Sequence, residues 1–77
     1  MVGTVVYEER GYAYVVLEKE ARLRVDGLEQ RAVVDKHSPL LVRCGGARCV
    51  GKRVHFYDVV FDLRARSARA GAVVVVN

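Results

Sequence analysis

Two aromatic residues two positions apart on a strand project to the same side of a sheet, and a basic residue just before them sets a charged tip beside that face. Arg10-Gly11-Tyr12-Ala13-Tyr14-Val15 has this arrangement. It fits the pattern of RNA-recognition strands, with Tyr at the second aromatic position and Leu17 in place of the last aromatic. The chemistry that this spacing serves is non-covalent. Successive bases stack on the rings at about 1–3 kcal/mol each, and the basic residue meets a phosphate. The competing reading of the same residues is a hairpin whose tyrosines cover a core edge. Further basic residues fall into clusters: Lys52-Arg53, then Arg64, Arg66 and Arg69, then Arg22, Arg24 and Arg31. Such clusters guide phosphate backbones in a salt-dependent way, and each is also readable as a solvated face.

Other reactive residues carry less. Cys44 and Cys49 bracket four residues that include Gly45-Gly46, a spacing that could close a small disulfide loop or leave two free thiols. Together with His37 and His55 they make four good zinc ligands, but not the close pairs that structural zinc sites use, so no metal site is expected. Neither cysteine has a neighbouring base to activate it. The sequence holds no phosphate loop, no Gly-x-Ser-x-Gly elbow and no His-Glu-x-x-His helix. Glu8-Glu9 and the Asp58/Asp62 pair have simple surface readings. A non-enzymatic protein without a cofactor is the expectation.

Composition bounds the elements that must hold the tyrosines in place. Seventy-seven residues make one domain over 1–77 or a fragment of one, too short for a second. Valine fills 17 positions against one threonine and no isoleucine, so the apolar half is dominated by a β-branched residue suited to pleated surfaces. Thirteen Lys and Arg against nine Asp and Glu leave a net charge of +4, and ten of the thirteen are Arg, the side chain made for phosphate forks and base stacking. A polyanionic partner follows from that balance. No apolar run approaches the 18 or so residues that span a bilayer, and no signal-peptide pattern follows Met1, so the expectation is a cytoplasmic protein with no membrane partner. One Gln, one Asn and one Met beside abundant Val, Arg and Glu fit a thermophile.

Along the chain, Val2 to Tyr7 reads as a first strand, Glu8 to Gly11 as a tight turn, and Tyr12 to Leu17 as a second strand with Tyr12, Tyr14 and Val16 on one face. A strict pleat places Tyr7 on the same side as Val5, so Tyr7 joins the tyrosine face only through a bulge or at the strand's end. Residues 18–35 are open to two readings, helical spacing or a hairpin about Asp26-Gly27 that sets Arg24 opposite Glu29. The turn pair and the helix-weakening glycine favour the hairpin. Leu40 to Val42 is a short strand. Val50 to Leu63 is the longest β-like run, with Val54 and Phe56 facing one way, His55 and Tyr57 the other, and Asp58 marking a face-swapping bulge. Arg64 to Gly71 reads as a basic loop, and Gly71 to Val76 as a closing strand covered on both sides. Five or more short strands without a repeat predict an all-β barrel, which removes exposed edges.

Gly3-Thr4-Val5-Val6-Tyr7 followed by Arg10-Gly11-Tyr12-Ala13-Tyr14-Val15 resembles the opening of the cold-shock domain, in which Gly-Thr-Val-Lys-Trp precedes Lys-Gly-Phe-Gly-Phe-Ile. Val50-Gly51-Lys52-Arg53-Val54-His55-Phe56 is similar to that family's Gly-x-x-Val-x-Phe strand start, and Arg69-Ala70-Gly71-Ala72-Val73 to its closing segment. The likeness covers about half the chain, mainly both ends. In the middle, Val33-Val34-Asp35-Lys36-His37-Ser38-Pro39-Leu40 stands where the family has Val-Phe-Val-His-x-Ser-Ala-Ile, without the central aromatic, unless the third strand is instead Arg22 to Val25. The resemblance implies a five-stranded OB-type barrel that binds single-stranded RNA or DNA, RNA before DNA, largely regardless of sequence, and an RNA-chaperone role. It carries Tyr7 onto the family's tryptophan, Arg10 onto its lysine, and Tyr12 and Tyr14 onto its phenylalanines; Lys36 and His37 in the middle segment are further candidate contacts. The alternative from another class is a β-barrel interaction module, or a subunit of a larger ribonucleoprotein assembly, whose Val73–Val76 strand pairs with a protein partner.

Overall fold

Alternating small apolar and polar residues set up a sheet with one dry face. In the computed structural model, which describes residues 1–43 and 48–76, nine strands follow one another in the described chain. They are β1 (Val2–Glu9), β2 (Tyr12–Leu17), β3 (Ala21–Val25), β4 (Arg31–Val34), β5 (Leu40–Arg43), β6 (Arg53–Tyr57), β7 (Val60–Asp62), β8 (Ser67–Arg69) and β9 (Ala72–Val76). All lie in a single sheet in the order β4-β3-β7-β8-β5-β2-β1-β6-β9, which curls into a half-barrel. The sheet is mixed: β3 with β7 and β5 with β8 run parallel, and the other neighbours are antiparallel. The described residues contain no helix, hence none long and apolar enough to cross a membrane.

The concave face is the core. Val5, Val15, Val42 and Val54 are buried there around Phe56, the largest fully buried side chain. Burying a side chain of this size contributes about 1.5–3 kcal/mol relative to leaving it exposed. Gly3 permits β1 and β2 to approach closely on that face, because a Cβ there would lie 2.8 Å from the Val16 carbonyl oxygen and 2.5 Å from a Val15 methyl.

The all-β reading and the hairpin over residues 18–35 agree with this architecture, while the finer expectations need correction. Nine strands replace five. The run from Val50 to Leu63 is two strands, because Asp58 takes a left-handed φ of 53° and ends β6, after which β7 leaves for a different neighbour, β3. The basic stretch after Arg64 is not all loop, since Ser67–Arg69 forms β8 between β7 and β5. The hairpin keeps its turn at Asp26-Gly27, where Leu28 N donates to the Val25 carbonyl, but Arg24 faces Arg31 rather than Glu29. Only Gly27 of the turn pair has positive φ, at 78°, so the two-residue turn whose twist suits a hairpin does not form, and extra residues enter the loop. The closing strand is not covered on both sides. β9 ends the sheet, pairs only with β6, and leaves Val74 50% exposed.

Candidate nucleic-acid interface

The hairpin of β1 and β2 is closed by Arg10 and Gly11 alone, since Glu9 and Tyr12 are the last paired residues. Both turn residues have positive φ, 51° and 82°, as a type I′ turn requires. Below the turn Val5 pairs with Val15, yet Tyr7 pairs with Tyr14, so Val6 is an extra residue on β1. This bulge decides the side on which Tyr7 lies. In an unbroken ladder Tyr7 would share the dry face with Val5, which is 1% exposed; the inserted residue turns it outward to 53% exposure. Its ring meets that of Tyr14 at a centroid distance of 5.7 Å and an interplanar angle of 48°. The outward position of Tyr7 therefore comes from a bulge, one of the two devices that the sequence allowed.

Tyr12 and Tyr14 stand on the same convex face. Together with Glu9, Arg10 and Leu41 they line an open groove of about 220 Å³. The floor and the flank come from β5, where Leu41 is the cross-strand partner of Tyr14 and Arg43 that of Tyr12. Arg43 is in turn paired with Arg69 on β8, whose guanidinium holds Asp26 at 3.1 Å. Directly paired residues share a face, so Arg69, Arg43 and Tyr12 form one outward row.

The structure thus gathers Tyr7, Arg10, Tyr12, Tyr14 and Arg69, and sets the remaining candidates on other elements. Lys36 and His37 occupy the exposed turn between β4 and β5, where His37 N donates to the Asp35 carboxylate at 2.9 Å. Arg64 and Arg66 belong to the β7–β8 turn, in which the Asp62 carboxylate accepts from Arg64 N at 2.9 Å. Lys52 and Arg53 lie on the far side of β1, where the Lys52 carbonyl accepts from Val5 N. The Arg53 guanidinium is engaged with both carboxylate oxygens of Glu18. That bond holds the Glu18 carboxyl below its ordinary value of 4.5 and strengthens the hold of Arg53 on its own proton. Cys49 is buried, its N–H donating to Glu8 Oε1 at 2.5 Å, while the candidate bridge to Cys44 lies outside the described residues.

Two features of the outer surface were not read from sequence as parts of a binding face. Arg43 sits between the tyrosines and Arg69 because β5 runs one residue beyond the expected Leu40–Val42; its parity with Leu41 was the available signal. On β6, His55 and Tyr57 stack at 4.1 Å with rings 15° from parallel, and they show the same two-residue spacing as Tyr12 and Tyr14. No family model, curated protein or solved structure matches the chain.

Proposed function

We propose that this protein binds single-stranded nucleic acid, RNA before DNA and with little regard to sequence, on the convex face of β1, β2 and β5. The observation that carries the reading is the bulge at Val6, which places Tyr7 beside Tyr14, while Tyr14 and Tyr12 share the groove with Arg10 and Tyr12 is paired with Arg43. Aromatic rings bordered by arginines are the means by which sequence-tolerant binders hold single strands: every base has a face to stack, and every nucleotide has a phosphate. The likeness of Gly3–Tyr7 and Arg10–Val15 to the cold-shock opening supports the same conclusion, and with it an OB-type description of the half-barrel and a cytoplasmic RNA-chaperone role. Binding energy alone would melt weak secondary structure, without a reaction.

The test is anisotropy of a labelled single-stranded 10-mer, RNA and DNA, against a duplex of equal length at low and physiological salt. Tyr12→Ala with Tyr14→Ala should remove about 2–6 kcal/mol, a thirtyfold loss or more, while circular dichroism reports an intact sheet. Equal, salt-erased binding to single strand and duplex, or full affinity in the double variant, refutes stacking.

One observation favours a second reading, that of a protein-interaction module. β9 is an edge strand with Val74 and Val75 50% and 39% exposed and without the charge or proline that usually blunts such an edge. Sedimentation showing self-association or partner dependence, together with failure to bind any oligonucleotide, would favour it.

A further inference from the structure

The cross-strand register continues past Arg69. Arg69 pairs with Val60 on β7, Val60 with Arg24 on β3, and Arg24 with Arg31 on β4. Partners in a ladder share a face, so Arg31, Arg24, Val60, Arg69, Arg43 and Tyr12 make one outward row that crosses six strands. All four arginines of the row are exposed. Two of its steps, Arg31 to Arg24 and Arg43 to Arg69, set like charges directly opposite, an arrangement that destabilises a sheet unless counter-charge is at hand. Among the described residues only Arg69 of these four has an ion-pair partner, Asp26.

From this row, and resting on the proposed single-strand binding, we infer that the chain carries a second subsite, a phosphate track running from Arg43 through Arg69 and Arg24 to Arg31. The strand leaves the tyrosine groove at Tyr12 and is held beyond it by its backbone rather than by its bases. The five strands from β5 to β4, about 4.8 Å apart, give the track a length of about 19 Å. A stacked strand rises about 3.4 Å per nucleotide, so the track takes up to about five nucleotides beyond the groove. Arginine suits the task, because a planar fork engages phosphate oxygens in pairs. Val60, the break in the row, offers no competing polar group. The ligand class is a single-stranded polynucleotide longer than the groove, and the track makes affinity depend on its length.

The experiment compares a uridine 4-mer, enough for the groove, with a uridine 12-mer, enough for groove and track, on the wild type and on R24Q/R31Q across 50–200 mM salt. Each phosphate contact on a single strand contributes a log–log salt slope of about −0.7, which extrapolated from 1 M is about fivefold in affinity at 0.1 M. The double variant should bind the 12-mer about 25-fold more weakly at 0.1 M, with a slope shallower by about 1.4, and bind the 4-mer as the wild type does. Both side chains are exposed and face each other, so the variant relieves repulsion, and an unchanged or raised melting temperature certifies its fold. Equal loss on both lengths, or a 12-mer affinity equal to that of the wild type, overturns the track. A wild type that binds both lengths equally also overturns the track but leaves the groove standing, whereas a wild type that binds neither overturns the proposed function itself.

Discussion

Arg10 holds a position that its side-chain type does not favour. It is the first central residue of a two-residue turn, with φ at 51°, where a β-carbon crowds the following carbonyl. Asn tolerates this region, and Asn-Gly is the preferred pair for a type I′ turn, whereas an ordinary L-residue there costs about 1–2 kcal/mol. Arg10→Asn should therefore stabilise the fold by about 1 kcal/mol, which for a domain of this size raises the melting temperature by about 4–8 °C. Among the described residues, the same change removes the one cationic side chain that lines the tyrosine groove. A single lost phosphate contact weakens single-strand binding about fivefold at 0.1 M salt and makes the salt slope shallower by about 0.7. Thermal denaturation followed by circular dichroism and anisotropy on a uridine 10-mer read the two effects from one sample. Arg10→Lys separates them further, since it keeps the charge and the strained backbone and should change neither the melting temperature nor the slope. A melting temperature that falls in Arg10→Asn refutes the turn geometry. A rise with unaltered affinity and slope refutes the contact.

Gly3→Ala puts a methyl group 2.8 Å from the Val16 carbonyl oxygen across the β1–β2 ladder, so it should destabilise the fold by about 1–3 kcal/mol, seen as a lower urea midpoint; an unchanged midpoint would mean that the strands are farther apart. Glu18 is held below its ordinary value of 4.5 by its bond to Arg53, so its contribution to stability is present above the unfolded-state value and is lost as pH falls through the lower folded-state value. Glu18→Gln should accordingly melt below the wild type at pH 7 and converge on it in acid; a gap that persists at pH 2 would assign the effect to something other than this ion pair.

The hairpin that carries the tyrosines was legible because its signals are local. Tyr12–Leu17 alternates cleanly and matches β2 residue for residue, and the turn falls within the expected Glu8–Gly11 break, although pairing of Glu8 and Glu9 extends β1 and narrows it to Arg10-Gly11. The bulge at Val6 was legible only as a condition, since a run of valines has no marker for the residue that the ladder skips. Elements with distant partners could not be read this way. Ser67–Arg69 is three residues long and becomes a strand because β5 and β7 flank it, β5 in parallel. The valine-rich run through residues 50–63 suggests one long strand; a single left-handed residue, Asp58, divides it. For the same reason Arg69 was visible as part of a basic cluster, but its place two strands from Tyr12 depends on Arg43, and that adjacency is a property of the sheet order.

Three unfavourable choices fall on one convex surface: a left-handed Arg10, an Arg24–Arg31 pair, and an Arg43–Arg69 pair in which Asp26 counters Arg69 alone. Each is of a kind that a sequence selected only for folding would replace. Asn serves better in the turn, and opposite-charge partners contribute about 0.2–1 kcal/mol where like charges subtract. The Arg53–Glu18 pair on the other side of β1 is the ordinary choice, while Asp58 and Arg66 also take a left-handed φ of 53° outside the row. What sets the convex row apart is that a backbone conflict and two like-charge pairs gather on one face, which marks it as selected for something besides stability. Here all three conflicts have one remedy, an anion laid across β2, β5, β8, β7, β3 and β4, which would relieve the repulsion in both arginine pairs and give Arg10 a partner. The two arginine pairs and the turn should thus respond together: a bound oligonucleotide long enough to reach Arg31 stabilises the fold by more than its contacts in the groove alone would supply.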